Sequence, residues 1–108
     1  MPLVRLRSCT RVKTDYPVIF AGESFVGEGI VTNMSVPGCR VRSQKPVELG
    51  SYLEMRVLTP GGSAPVTVGL AKVRWQSGSQ FGVEFIRVPG EDQIRLGRLV
   101  RQGGSGIS

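Results

Sequence analysis

Histidine is absent from the 108 residues. With it go the commonest general base, the Ser-His and Cys-His nucleophile systems and most zinc sites. Cysteine is scarce. Cys9 and Cys39 lack CxxC spacing and are too few for a disulfide scaffold, so each reads as a small core or surface residue. No paired carboxylates form a motif, and an enzyme is the least expected class. Aromatic residues make up only 6% of the chain. Tyr16, Tyr52 and Trp75 are scattered, which speaks against a barrel that stacks single-stranded nucleic acid. No run approaches the ~18 uninterrupted apolar residues of a membrane span. The N-terminus has no apolar stretch of signal-peptide length. The expectation is a cytoplasmic protein without membrane insertion.

What is present is a foldable, basic chain. Apolar residues form 40% and charged residues 20%, a balance that supports one core and excludes a disordered tail. Fourteen Lys+Arg against eight Asp+Glu give a net charge of +6. Eleven of the fourteen cations are arginine, whose planar fork grips phosphate bidentately and stacks on bases. An anionic partner follows, with a merely solvated basic surface as the plain alternative.

Fifteen glycines and seven prolines punctuate short alternating runs, the mark of an all-β chain with tight turns. Residues 1–14 carry no acid and read as a basic arm. Strands are expected at residues 17–20, 25–32, 39–42, 52–58, 66–76 and 80–86. In residues 52–58, Leu53, Met55 and Val57 share one face. Along residues 66–76 the apolar phase changes from Val66, Val68, Leu70 to Ala71, Val73, Trp75. Such a change predicts a bulge of the kind that curls a sheet into a barrel, with Gly69 placed to permit it. A helix follows: Gly90 is a weak cap, Glu91 and Asp92 suit its N-terminal dipole, and Ile94, Leu99 and Val100 form the apolar stripe. Arg95, Arg98 and Arg101 read as a solvated face. The predicted architecture is a small, mainly antiparallel six-stranded barrel closed by a C-terminal helix. The barrel and helix occupy residues 15–102, and residues 103–108 form a flexible tail.

Two clusters stand apart from the needs of a barrel. Arg7 and Arg11 lie four residues apart. In an extended segment they project to one side, roughly 13 Å from each other, and can grip both ends of a dianion. Asn33, Ser35 and Gly38 form the second cluster. Asn33 and Ser35 alternate at period 2 and offer donors and acceptors that suit a base edge. Gly38 suits a positive φ or a close backbone approach. Taken singly, the first cluster is a solvated arm and the second a polar turn bonded to its own backbone.

Taken together, RxxxR followed by [D/N]xSxxG resembles the PilZ domain, the bacterial receptor family for cyclic di-GMP. The likeness extends to Trp75 near the end of a long strand, to the strand Phe81-Gly82-Val83-Glu84-Phe85 and to the final helix, over residues 5–102. It implies that Arg7 and Arg11 embrace the phosphates and the guanine O6 and N7, acceptors that an arginine fork meets bidentately. It implies further that Asn33 and Ser35 address a guanine and that Gly38 lets ligand and backbone approach. Asn33 in place of the commoner aspartate gives up a charged acceptor, so weaker binding is implied. Leu6 before Arg7 implies one ligand per site rather than a stacked pair, with Arg5 able to substitute. Arg40 and Arg42 flank the site and add long-range attraction. Trp75 is read as core, with stacking on a guanine as the other option. The expected function is a non-catalytic receptor that binds cyclic di-GMP without a cofactor and signals to a protein effector. The alternatives are a PilZ-like adaptor that binds no nucleotide and, less favoured, a single-stranded nucleic-acid barrel.

Overall fold

The computed structural model describes residues 10–60 and 64–102. Among these, the strands are β1 (Val12–Ala21), β2 (Val26–Met34), β3 (Gly38–Arg42), β4 (Tyr52–Val57), β5 (Val66–Ser77) and β6 (Gln80–Arg87), followed by helix α1 (Gly90–Arg101). Alternation builds them. In β4 every second residue is buried, with Leu53, Met55 and Val57 inside and Tyr52, Glu54 and Arg56 outside. β6 returns from β5 through a two-residue turn, Gly78-Ser79, in which Gly78 takes φ 60° at the first central position. That conformation gives the hairpin the twist its strands require.

The six strands close in the order β1-β2-β3-β6-β5-β4, every pair antiparallel. Closure leaves no free edge. The inward residues fill the interior, with Phe20, Phe81, Met34, Leu53 and Met55 the bulkiest of the fully buried side chains. Phe20 meets Phe81 edge to face, ring centroids 5.3 Å apart.

The expected barrel is present, and its local departures from expectation have physical causes. β1 starts at Val12 rather than residue 17, because Val12 and Tyr16 are buried while Thr14 and Asp15 form an irregularity opposite β2. Thr14 steadies it by donating its hydroxyl hydrogen bond to the Val31 carbonyl. β2 runs through Asn33 to Met34, so the chain breaks two residues later than predicted. The predicted phase change in β5 is a register shift against β4, in which three steps from Val68 to Ala71 stand opposite two from Met55 to Leu53. Gly69 is not what permits it, since a Cβ there would meet only ordinary contacts. A second shift, between Val73 and Trp75, has no counterpart in the predicted pattern.

In α1 the cap residue is Pro89, not Gly90. The buried stripe is Asp92, Leu96 and Val100, spaced i, i+4, i+8. Ile94, predicted in the stripe, is 62% exposed. The stripe is anchored by an acid: the Asp92 carboxylate accepts a 2.6 Å hydrogen bond from the Thr67 backbone N–H of β5. Replacing Asp92 by alanine orphans that donor. We expect the unfolding free energy to fall by about 1–3 kcal/mol, read from urea denaturation.

Among the described residues, no helix is long and apolar enough to cross a membrane. The tail at 103–108 lies outside the described residues.

Candidate functional site

One row of residues crosses the outside of the barrel. The register pairs Lys13 with Asn33, Asn33 with Arg40, Arg40 with Gly82 and Gly82 with Trp75. The row therefore spans β1, β2, β3, β6 and β5. From Asn33 to Trp75 it covers three strand spacings, about 14 Å. A neighbouring row pairs Gly38 with Glu84. Together they form the floor of a cleft of about 570 Å³. That lies within the ~300–1,000 Å³ typical of small-ligand sites.

Arg11 closes the cleft at the β1 side. Its Nη1 donates a 3.0 Å hydrogen bond to Asn33 Oδ1, joining two residues 22 positions apart. Arg11 of the first predicted cluster thus meets Asn33 of the second. Arg7, Leu6 and Arg5 lie outside the described residues, as does Cys9.

Ser35 lines the cleft but is only 1% exposed. Its hydroxyl donates to the Gly38 carbonyl at 3.0 Å, and its backbone N–H donates to the same oxygen at 2.8 Å. Here the polar-turn reading holds, whereas Asn33 pairs with Arg11 instead of its own backbone. Ser35 builds the lip of the cleft by locking the turn between β2 and β3. Gly38 serves the same end. Its φ is not positive, and a Cβ would collide with the Val83 carbonyl of β6. The close approach it permits is therefore that of a neighbouring strand, and the adjoining Phe85 N–H donates to the Pro37 carbonyl at 2.8 Å.

Trp75 is not core. It is 40% exposed and lies over Gly82, where any Cβ would strike the indole. The cause is the register shift between Val73 and Trp75. Arg74 is the extra residue, and an extra residue turns the following side chain to the other face. Arg40 lines the cleft, and its Nε donates to Thr32 Oγ1 at 3.4 Å; Arg42 is not among the lining residues.

Two charged lining residues, Arg74 and Glu84, escaped the sequence reading. Arg74 Nε stands 3.2 Å from Glu84 Oε1, and both side chains are about half exposed. A signal existed in their outward phase on adjacent strands, but the pairing follows only once the register is known. The walls thus carry three arginines and one carboxylate, a net positive field suited to an anion. Cys39 lies beneath the floor. Burial pushes its thiol up to about 12, so it stays protonated and contributes packing rather than reactivity. Among the described residues, no group of three His, Cys, Asp or Glu side chains could hold a metal ion.

A family model described as the PilZ domain matches residues 5–102. No curated protein sequence matches significantly. Among solved structures, the Bacillus subtilis inhibitor of motility (MotI/DgrA) is similar with a TM-score of 0.73 and 17% identity, over 89% of this chain and 50% of that one. This chain thus spans about half the length of that protein. The PilZ domain of CeSA from a cellulose-synthesizing bacterium gives 0.67 and 16%, over 84% and 94%. The PilZ domain of Escherichia coli YcgR, solved with c-di-GMP, gives 0.70 and 12%, over 88% of each chain. At these identities the structural likeness is one of fold.

Proposed function

The chain belongs to the PilZ domain family, and from that premise we propose that it is a non-catalytic receptor for cyclic di-GMP. The observation that carries the reading is the Arg11–Asn33 hydrogen bond at the mouth of a basic cleft. It joins Arg11 of one half of the family motif to Asn33 of the other. Arg11, with Arg7 preceding it, takes the phosphates and the guanine O6 and N7 edge, where a guanidinium fork bonds bidentately. Asn33 keeps one amide oxygen as acceptor and two N–H donors. Ser35 and Gly38 hold the lip in shape. Trp75, exposed against Gly82, offers an aromatic face for one base, and Arg40 offers a second cation beside it.

The mechanism is binding followed by a shift of population. Among the described residues, Arg11 is held by one exposed, neutral acceptor. A phosphate is a stronger partner for it. Ligand therefore draws Arg11, and the basic segment before it, onto the dinucleotide. A protein effector that recognises this arrangement is then bound or released, as differential affinity for the two states requires.

An adaptor that binds protein and no nucleotide is less well supported, because Arg11, Asn33, Ser35 and Gly38 all line the one cleft. Nor do the aromatics favour single-stranded nucleic acid. Tyr16 is buried, and Tyr52, with Lys72 Nζ 5.5 Å from its ring, is not among the cleft residues that include Trp75.

Isothermal calorimetry tests the proposal. Cyclic di-GMP is expected to bind one per chain with a micromolar Kd, about −8 kcal/mol. Absence of heat at ligand concentrations far above that range would reject the receptor reading.

A further inference from the structure

The cleft holds a carboxylate where an anion is to bind. Alone, Glu84 repels phosphate, so its presence in an anion site calls for a role. Its surroundings suggest one. Glu84 pairs across β3 with Gly38, which has no side chain to screen it, and across β5 with Lys72, whose Nζ lies over Tyr52. Arg74 holds it from the bulge, Nε to Oε1 at 3.2 Å. A carboxylate has about four lone-pair sites, so one arginine leaves capacity to accept more. On β6, Glu84 stands two residues from Gly82, about 7 Å along the same face. A base lying over Gly82, on the side toward Glu84, is within its reach.

Building on the receptor reading above, we infer that Glu84, positioned by Arg74, is the specificity-determining acceptor for the guanine N1–H and N2 amine. Guanine presents two adjacent donors on that edge, and one carboxylate accepts both in parallel. Asn33 offers a single neutral amide oxygen, so it cannot accept both donors in parallel from two oxygens as a carboxylate does. The negative acceptor is thus supplied from β6 rather than β2. With Arg11 on O6 and N7, opposite edges of a guanine are read by opposite charges. Adenine lacks the donor pair and leaves the Glu84 acceptors unmatched.

The sign of one substitution separates this role from plain electrostatics. Glu84→Gln removes a negative charge from an anion site, which by itself tightens binding of every cyclic dinucleotide. It also replaces an acceptor by an N–H donor facing the guanine donors. Calorimetry on the full chain with cyclic di-GMP and cyclic di-IMP, whose bases lack the N2 amine, reads both effects. The wild type is expected to prefer cyclic di-GMP. In Glu84→Gln, cyclic di-GMP should weaken about tenfold, as loss of hydrogen bonds to a charged group implies, and the preference over cyclic di-IMP should shrink. Glu84→Ala should show the same loss of preference, and far-ultraviolet circular dichroism checks that both variants fold. Unchanged or tighter cyclic di-GMP binding in Glu84→Gln, or equal weakening of both ligands, would overturn the role of Glu84 while leaving the receptor reading intact. A wild type that binds neither ligand would overturn both.

Discussion

Replacing Arg11 by alanine is expected to weaken cyclic di-GMP binding about ten- to a hundredfold, the equivalent of roughly 1.5–3 kcal/mol for hydrogen bonds to a charged partner. The melting temperature of the empty protein should barely move. Arg11 is exposed, and its bond to Asn33 is exposed as well, so water replaces what the mutation removes. The same reasoning makes Arg11 and Asn33 a coupled pair. In the empty protein they bond to each other, whereas in the complex both turn to ligand. A double-mutant cycle with Asn33→Ala should therefore give binding losses that do not add. Calorimetry for affinity and scanning calorimetry for stability check the two halves separately. Unaltered affinity in Arg11→Ala would take the arginine out of the site.

The same residues show what could be read without coordinates. Alternation at Leu53, Met55 and Val57 exposes the barrel pattern because one face must be apolar and the other wet. The bulge between Val68 and Ala71 was legible for the same reason: two apolar residues in succession, Leu70 and Ala71, break the alternation. The bulge at Arg74 was not legible. Val73 and Trp75 keep alternating in hydrophobicity while the backbone between them flips the face, so Trp75 passes for core. In α1 the stripe begins with an acid, Asp92, whose burial is supported by the Thr67 N–H of another element and by Arg95 one turn on. Hydropathy cannot report such a partner. Gly38 was singled out for a close approach, and the approach is real, but which chain comes close depends on a pairing of β3 with β6 that lies more than 40 residues away in sequence. The motif positions were thus visible, while the split between residues that face ligand and residues that shape the lip required the register.

That split predicts a mutant of the opposite kind. Phe20→Ala is expected to lower the unfolding free energy by about 3–5 kcal/mol, the range for truncating a buried aromatic. Phe20 is fully buried, packs edge to face on Phe81 and reaches Phe25 at 6.3 Å. Its space is guarded by Gly27, where a Cβ would sit 2.7 Å from the ring. With a total stability of about 5–15 kcal/mol usual for a domain, the variant keeps only a thin margin. Yet Phe20 pairs with Gly27 and Met55 on β1, eight residues and about 27 Å along the strand from Val12, which adjoins Arg11. Its side chain points inward, whereas Asn33, Arg40 and Trp75 stand on the outer row. The folded variant should therefore bind cyclic di-GMP with a Kd close to wild type. Linkage then makes the ligand a rescuer: at a hundred times Kd it adds about 2.7 kcal/mol to the folded state, half or more of what the cavity removes. Thermal denaturation of Phe20→Ala with and without ligand should show that recovery, while in Arg11→Ala the same ligand concentration should add only about 0.4–1.4 kcal/mol. A folded Phe20→Ala that fails to bind would mean that the outer row depends on core packing at the far end of the barrel.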